Sequence, residues 1–135
     1  MSHQDNPAAR ELAIAIAQAA DDRKAENIRI LDVGGVSYLA DYFVIASGFS
    51  KVQVRAIARS IEAAVKESYH RHPIRTEGLG EGQWVVYDYG EVIAHIFMPR
   101  EREFYDLEAF WGHAKEVTFL SEPSPTQGRY FGGER

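Results

Sequence analysis

The chain contains 135 residues, of which 15 are basic and 20 acidic, giving a formal net charge of −5, and it has no cysteine. This size suits one globular domain, and the missing thiols exclude disulfides, a thiolate nucleophile and cysteine-ligated metal sites. The charge favours a basic partner over a nucleic-acid backbone, and no apolar run approaches the length of about 18 residues of a membrane span, so we expect a soluble, cytoplasmic protein.

The N-terminal segment predicts a helix followed by a strand. Asn6 is a good N-cap and Pro7 suits the first helical position, so the alanine-rich run that follows should be helical over about residues 7–25. Large apolar residues in NIRILDV (27–33) then predict a short strand, which ends before a pair of glycines.

A second strand and a second helix come next. The run DYFVIAS (41–47) is apolar and β-branched, which is typical of a strand buried on both faces near the centre of a sheet. Ser50 and Gln53 have the form of a capping box, and apolar residues then recur every three or four positions, so we expect a helix over about 51–70. This helix can cross between two parallel strands.

The second half of the chain predicts a hairpin. The runs WVVYDYG and EVIAHIFM (84–98) have strand composition and meet in a turn at residues 88–91. The preceding segment TEGLGEGQ (76–83) contains three glycines and is expected to be a flexible turn.

A last helix should follow the hairpin. Phe104, Leu107 and Trp111 recur at helical spacing, so they should form one buried stripe of a helix that ends near Gly112.

The order of these elements predicts a layered α/β domain over residues 1–120, with a mixed sheet flanked by helices. A short edge strand is expected over 117–120. The remaining residues, 121–135, are rich in Pro, Ser and Gly, which is typical of a disordered tail.

The sequence gives only weak evidence for a phosphate-binding site or a magnesium site. SGFSK (47–51) has one glycine between a strand and a helix but matches neither glycine-rich phosphate-binding pattern. Four acidic residues lie at or near strand ends: Asp32, Asp41, Asp88 and Glu91. None of them forms the pair of carboxylates on one strand face that a Mg²⁺ site for nucleotidyl transfer needs. Asp106 and Glu108 have the spacing but fall in the last predicted helix, where residues two apart diverge.

The histidines also lack partners at a recognisable spacing. His70 and His72 would make half a metal site, without a third ligand nearby in sequence. His95 and His113 could serve as bases, but no serine with an orienting acid accompanies them. We therefore predict no catalytic residue, no metal and no cofactor.

Aromatic residues crowd the segment from the hairpin to the last helix, and most should belong to the core. Tyr105 lies off the apolar stripe, with Glu101 and Glu108 as helical neighbours, so we expect it to be exposed. Trp84 suits either the core or a binding surface, because tryptophan is enriched in binding hot spots.

The runs DYFVIASG, WVVYDYGEVIAHIFMP and REFYDLEAFWG, in this order after a leading helix, strongly resemble the ribosomal silencing factor (Iojap) family. The resemblance covers about residues 7–120. It implies a fold related to nucleotidyltransferases without their activity, and binding to ribosomal protein uL14 on the large subunit. There the family blocks joining of the small subunit and represses translation when nutrients are short.

By position, the resemblance implies partner-binding roles for Trp84, Tyr105 and Leu107, with Met98 near the same face. Leu107 also belongs to the predicted core stripe and could be shared between core and interface. The oligomeric state, a homodimer included, stays open. The alternative is a nucleotide-binding enzyme of the nucleotidyltransferase fold, which a pair of carboxylates on one strand would favour.

Overall fold

A six-stranded mixed sheet forms the centre of the fold, and the computed structural model describes residues 6–119. The strands are β1 (Glu26–Asp32), β2 (Tyr42–Ser47), β3 (Arg75–Glu77), β4 (Trp84–Asp88), β5 (Val92–Phe97) and β6 (Lys115–Val117). Their order across the sheet is β3-β4-β5-β2-β1-β6. β2 and β5 are parallel, and the other neighbouring pairs are antiparallel. The predicted mixed sheet, the 84–98 hairpin and the central position of the 41–47 strand are confirmed.

Four helices accompany the sheet: α1 (Pro7–Asp22), α2 (Lys51–Tyr69), α3 (Pro99–Tyr105) and α4 (Leu107–Phe110). The predicted caps are confirmed, because the side chains of Asn6 and Ser50 each accept a hydrogen bond from the backbone three residues later. α1 ends before residue 25 because Lys24 has a left-handed φ of 62°. α2 ends at a left-handed His70, whose amide donates to the Lys66 carbonyl.

The edge strand β3 was not predicted. Arg75–Glu77 pairs antiparallel with β4, although its last two residues fall in the segment expected to be a flexible turn. All three residues are exposed and two are charged, so no alternation of apolar residues marks the strand. Backbone hydrogen bonds to β4 hold these residues in the strand conformation.

The single last helix predicted from the sequence is wrong. Asp106 takes a left-handed φ of 45° and separates α3 from α4. This break changes the helical phase, so Phe104 is 79% exposed instead of continuing the buried stripe, whereas Leu107 and Trp111 do pack against the sheet.

The C-terminal edge strand lies earlier than predicted. β6 (Lys115–Val117) pairs antiparallel with β1, with Leu31 opposite Glu116, whereas the sequence suggested residues 117–120. The predicted tail at 121–135 lies outside the described residues.

The two faces of the sheet are covered unequally. Alternate β2 residues Tyr42, Val44 and Ala46 face α1 and α2, and they belong to the main core cluster. Phe43 and Ile45 point the other way. We call that side the open face; its buried residues are Leu31, Val33, Ala40, Phe43, Ile45, Ile93 and Phe97. Among the described residues, α3, α4, the chain just after them and the loop between β1 and β2 lie beside it, and neither helix contains a buried residue.

The turn between β3 and β4 contains two glycines with positive φ, Gly78 and Gly82, and the closer backbone approach is at Gly78. Gly78 has a φ of +79°, and a Cβ placed there would lie 1.9 Å from the Trp84 carbonyl oxygen. Gly80, in the same turn, has no atom within 4 Å of such a Cβ. We predict that Gly78→Ala lowers the free energy of unfolding by about 2 kcal/mol or more, because strain and a backbone clash combine.

The matched variant Gly80→Ala should change the free energy of unfolding by only about 0.5 kcal/mol, in either direction. Urea unfolding followed by circular dichroism measures both. Equal effects of the two substitutions would contradict the assigned backbone of the turn.

Candidate functional site

Trp84 begins β4 and lies half-buried on the open face. Its indole stacks on Phe97 of β5, with ring centroids 4.7 Å apart and planes 26° apart. Its Nε1–H donates to Nδ1 of His95 at 3.2 Å. One side of the indole is therefore fixed by the sheet, while the side chain as a whole keeps part of its surface in solvent.

Tyr105 ends α3 and packs against that indole. The two ring centroids are 4.8 Å apart, and Tyr105 remains 48% exposed, which confirms the predicted exposure. Phe104 meets Tyr105 edge-on at 5.0 Å. Trp84, Tyr105 and Phe104 thus form a continuous aromatic surface at one end of the open face.

Leu107 lies just past the left-handed Asp106, at the start of α4. It is half-buried and packs against the cluster beneath the open face, as does Trp111, whose ring meets Phe43 edge-on at 5.4 Å. The structure thus brings Trp84 and Tyr105 into contact, and Leu107 follows Tyr105 by two residues. Met98 packs instead against the helix-covered cluster, which corrects the expectation that it lies near the same face.

A cleft of 670 Å³ opens beside the aromatic surface. Its lining residues are Gln83, Arg100, Glu101, Glu103, Phe104 and Tyr105. Two carboxylates and one guanidinium surround exposed aromatic rings here. This is the composition of an interface rim, in which charged groups surround an apolar centre.

Some exposed apolar residues were missed by sequence reasoning. Val36, Tyr38 and Leu39 are 57%, 106% and 70% exposed in the loop between β1 and β2, and Phe110 is 76% exposed in α4. The loop residues follow the glycine pair directly, so apolar side chains next to a turn signal were the available clue.

His95 is buried beneath the open face and bonded to Trp84. Burial lowers the pKa of His95 to about 4, so the ring is neutral near pH 7. Its Nδ1 accepts the hydrogen bond from Trp84, which leaves the ring proton on Nε2. The ring lies between Trp84 and Phe43, with centroids 6.0 and 5.0 Å away. It orients the indole rather than a substrate.

The candidate carboxylates take part in turns and ion pairs. Asp88 accepts from the Gly90 amide. Glu91 forms a two-point ion pair with Arg71, which lowers the pKa of the Glu91 carboxyl. Among residues 6–119 there is no group of three or more His, Asp or Glu side chains that could hold a metal ion. Within that same range no helix is long and apolar enough to cross a membrane.

The SGFSK segment is likewise occupied by its own contacts. The Gly48 amide donates to the Phe97 carbonyl, and the Phe49 amide donates to Oε1 of Gln53. Ser50 in turn accepts from the Gln53 amide. Strand pairing and helix capping therefore use the amides of Gly48, Phe49 and Gln53, three donors that a phosphate at this turn would compete for.

Similarity to known proteins covers almost the whole chain. Residues 6–130 match the family model described as "Ribosomal silencing factor during starvation" (RsfS), a range that runs into the predicted tail. The chain is 45% identical over 98 residues to the ribosomal silencing factor RsfS of Bacillus subtilis, covering 73% of this chain and 82% of that protein.

The chain is also similar to a more distant relative and to a solved structure. Chloroplastic Iojap of Zea mays is 31% identical over 113 residues, covering 84% of this chain and 49% of that protein. The crystal structure of a Chromobacterium violaceum protein superposes with a TM-score of 0.74 at 31% identity, covering 86% of this chain and 95% of that one.

The neutral His95 generates a prediction about pH. In the unfolded chain a histidine has a pKa of about 6.5, so between there and about pH 4 the unfolded state binds more protons than the folded state. Stability must therefore fall as the pH drops through this window, by about 3 kcal/mol in total from this group.

Substitution by a non-titrating side chain tests that assignment. His95→Asn should flatten the dependence of the free energy of unfolding on pH between 6.5 and 4.5, whereas the wild-type protein should keep it. Urea unfolding at a series of pH values measures both. Curves for His95→Asn that run parallel to wild type would show that His95 does not carry the effect.

Proposed function

The chain belongs to the ribosomal silencing factor family, and on that basis we propose that it represses translation by binding ribosomal protein uL14 on the large ribosomal subunit. Bound there, in the cytoplasm, it blocks joining of the small subunit. The observation that carries the proposal is the contact between Trp84 and Tyr105 on a sheet face that the described helices leave partly uncovered.

The chemistry of this surface supports a protein partner. Trp and Tyr are the residue types most enriched at binding hot spots, where they bury large, rigid apolar areas. Tyr105 is 48% exposed, and Phe104, at 79%, extends the apolar area. Because Trp84 is already held by Phe97 and His95, little conformational entropy is lost when a partner covers it.

The charge supports a basic partner. The chain carries a formal net charge of −5, and Glu101 and Glu103 lie at the cleft beside Tyr105. Complementary charge speeds encounter and suppresses wrong partners, so a basic ribosomal protein is favoured over an acidic one.

The proposal includes the absence of nucleotide chemistry. The family is named for silencing rather than for an enzymatic reaction. Asp88 and Glu91 are used by a turn and by an ion pair with Arg71, so they do not form a free pair of metal ligands. The alternative, a nucleotide-binding enzyme of the nucleotidyltransferase fold, would need such a pair.

We predict that isothermal titration calorimetry with ATP or CTP, in the presence of Mg²⁺, gives no binding at millimolar nucleotide. A saturable heat in the micromolar range would favour the enzyme instead.

The binding surface makes a second prediction. Tyr105→Ala should leave the protein folded and weaken its binding to isolated large subunits about thirtyfold, because a half-exposed aromatic anchor is lost. Trp84→Ala should weaken binding as much and also lower the melting temperature, because Phe97 and His95 lose their partner. Co-sedimentation and differential scanning calorimetry measure the two effects.

Tyr38→Ala is the matched control. Tyr38 is fully exposed in the loop between β1 and β2, so removal of its ring tests whether any exposed tyrosine matters. This variant should pellet with large subunits like wild type. Undiminished pelleting of folded Tyr105→Ala would contradict the proposed surface.

A further inference from the structure

Two of the three residues of the aromatic surface lie on α3, and neither α3 nor the following α4 is held in place by burial alone. α3 has seven residues and α4 has four, and none of them is buried. A left-handed residue, Asp106, separates the two helices. Isolated helices this short are unstable in water, so other interactions must fix where Tyr105 and Leu107 lie.

An ion pair joins the two helices across that break. Nε and Nη2 of Arg102, on α3, donate to the two carboxylate oxygens of Glu108, on α4, at 3.0 and 2.9 Å. The side chains are only 11% and 19% exposed. Two parallel hydrogen bonds between a guanidinium and a carboxylate fix orientation as well as distance. The pair therefore sets the angle between α3 and α4.

The same two side chains attach the helices to the sheet. Nη1 of Arg102 donates to Oγ of Ser47 at 2.8 Å, and Ser47 is a buried residue at the end of β2. Glu108 also accepts from Nη1 of Arg29, on β1, at 2.8 Å. Arg29 in turn holds Glu116 of β6 through two hydrogen bonds. Two cations and two anions thus balance in one network.

We infer that Arg102 and Glu108 are positioning residues of the partner-binding surface: their ion pair holds Tyr105 against Trp84 and Leu107 against the open face before the partner arrives. This inference rests on the proposed function. Both residues act through the residues they place, because Arg102 lies three positions before Tyr105 and Glu108 directly follows Leu107.

Preorganisation has a measurable consequence. If the pair is broken, α3 and α4 sample other arrangements, and only a fraction of molecules presents Tyr105 in the binding geometry. The apparent dissociation constant rises by the inverse of that fraction. An ion pair with a purely structural role would instead lower stability while every folded molecule kept the same surface.

The experiment uses the full chain labelled with 5-fluorotryptophan. The chain has two tryptophans, so ¹⁹F NMR gives two resonances, and Trp111→Phe identifies the one from Trp84. Tyr105→Ala provides the reference shift of Trp84 without its neighbouring ring. The test variants are Arg102→Gln, Glu108→Gln and the double variant.

Two controls match the change in charge. Glu67→Gln removes one exposed carboxylate from α2, and Arg10→Gln removes one exposed guanidinium from α1, both on helices that pack on the opposite side of the sheet. They should keep the wild-type Trp84 resonance and wild-type binding.

We expect the Trp84 resonance of each test variant to move toward that of Tyr105→Ala, and binding to isolated large subunits to weaken about tenfold. The loss of binding free energy in the double variant should be smaller than the sum of the two single losses, because the shared ion pair is lost only once. Should the glutamine variants unfold, Arg102→Lys, which keeps the charge without the two-point geometry, should show the same shift to a smaller extent.

A folded variant with a lower melting temperature but an unchanged Trp84 resonance would overturn the inference. If the wild-type protein binds large subunits, folded variants that bind with the same affinity would also overturn it. If wild type itself does not bind large subunits, the proposed function fails. The resonance of Trp84 then decides the positioning role by itself.

Discussion

The fold depends on how unequally the two faces of its sheet are covered. One face is packed under α1 and α2, whose apolar residues form the main core. The other has only the short helices α3 and α4 among the described elements, and neither contributes a buried residue. Large side chains on this open face are therefore covered mainly by one another and by the ion-paired side chains beside them. Trp84 and Tyr105 stay in contact with solvent for this reason.

Local signals account for what the sequence predicted correctly. Helix caps at Asn6 and Ser50 and the apolar run of 41–47 act within a few residues of chain, so their structural outcome is visible without tertiary contacts. The edge strand β3 was missed because its polar residues owe their strand conformation to backbone pairing with β4. No local pattern records such pairing.

The candidate site was predictable in part, for related reasons. The structure bears out the predicted exposure of Tyr105. Only one of the two acidic neighbours behind that prediction shares its helix, because Glu108 lies on α4 in an ion pair with Arg102. The exposure of Phe104 does not follow, because a left-handed conformation at Asp106 is rare for a residue with a Cβ and shifts the helical phase. The hydrogen bond from Trp84 to His95 joins the neighbouring strands β4 and β5. The spacing of residues within one segment does not predict a side-chain contact between two strands.

Two residues of the candidate catalytic set, Glu91 and His95, have structural uses. Glu91 pairs with Arg71, and His95 orients an indole. The same fold class that elsewhere can support chemistry here presents an aromatic surface, since function follows from the site and not from the fold.

The central claim is that the open face of the sheet is the surface that meets the ribosome. A cryo-electron microscopy reconstruction of isolated large subunits incubated with the protein tests it most directly. We expect density for one copy against uL14, with Trp84 and Tyr105 buried in the contact. A reconstruction in which the protein binds through α1 and α2, with the aromatic surface facing solvent, would contradict it.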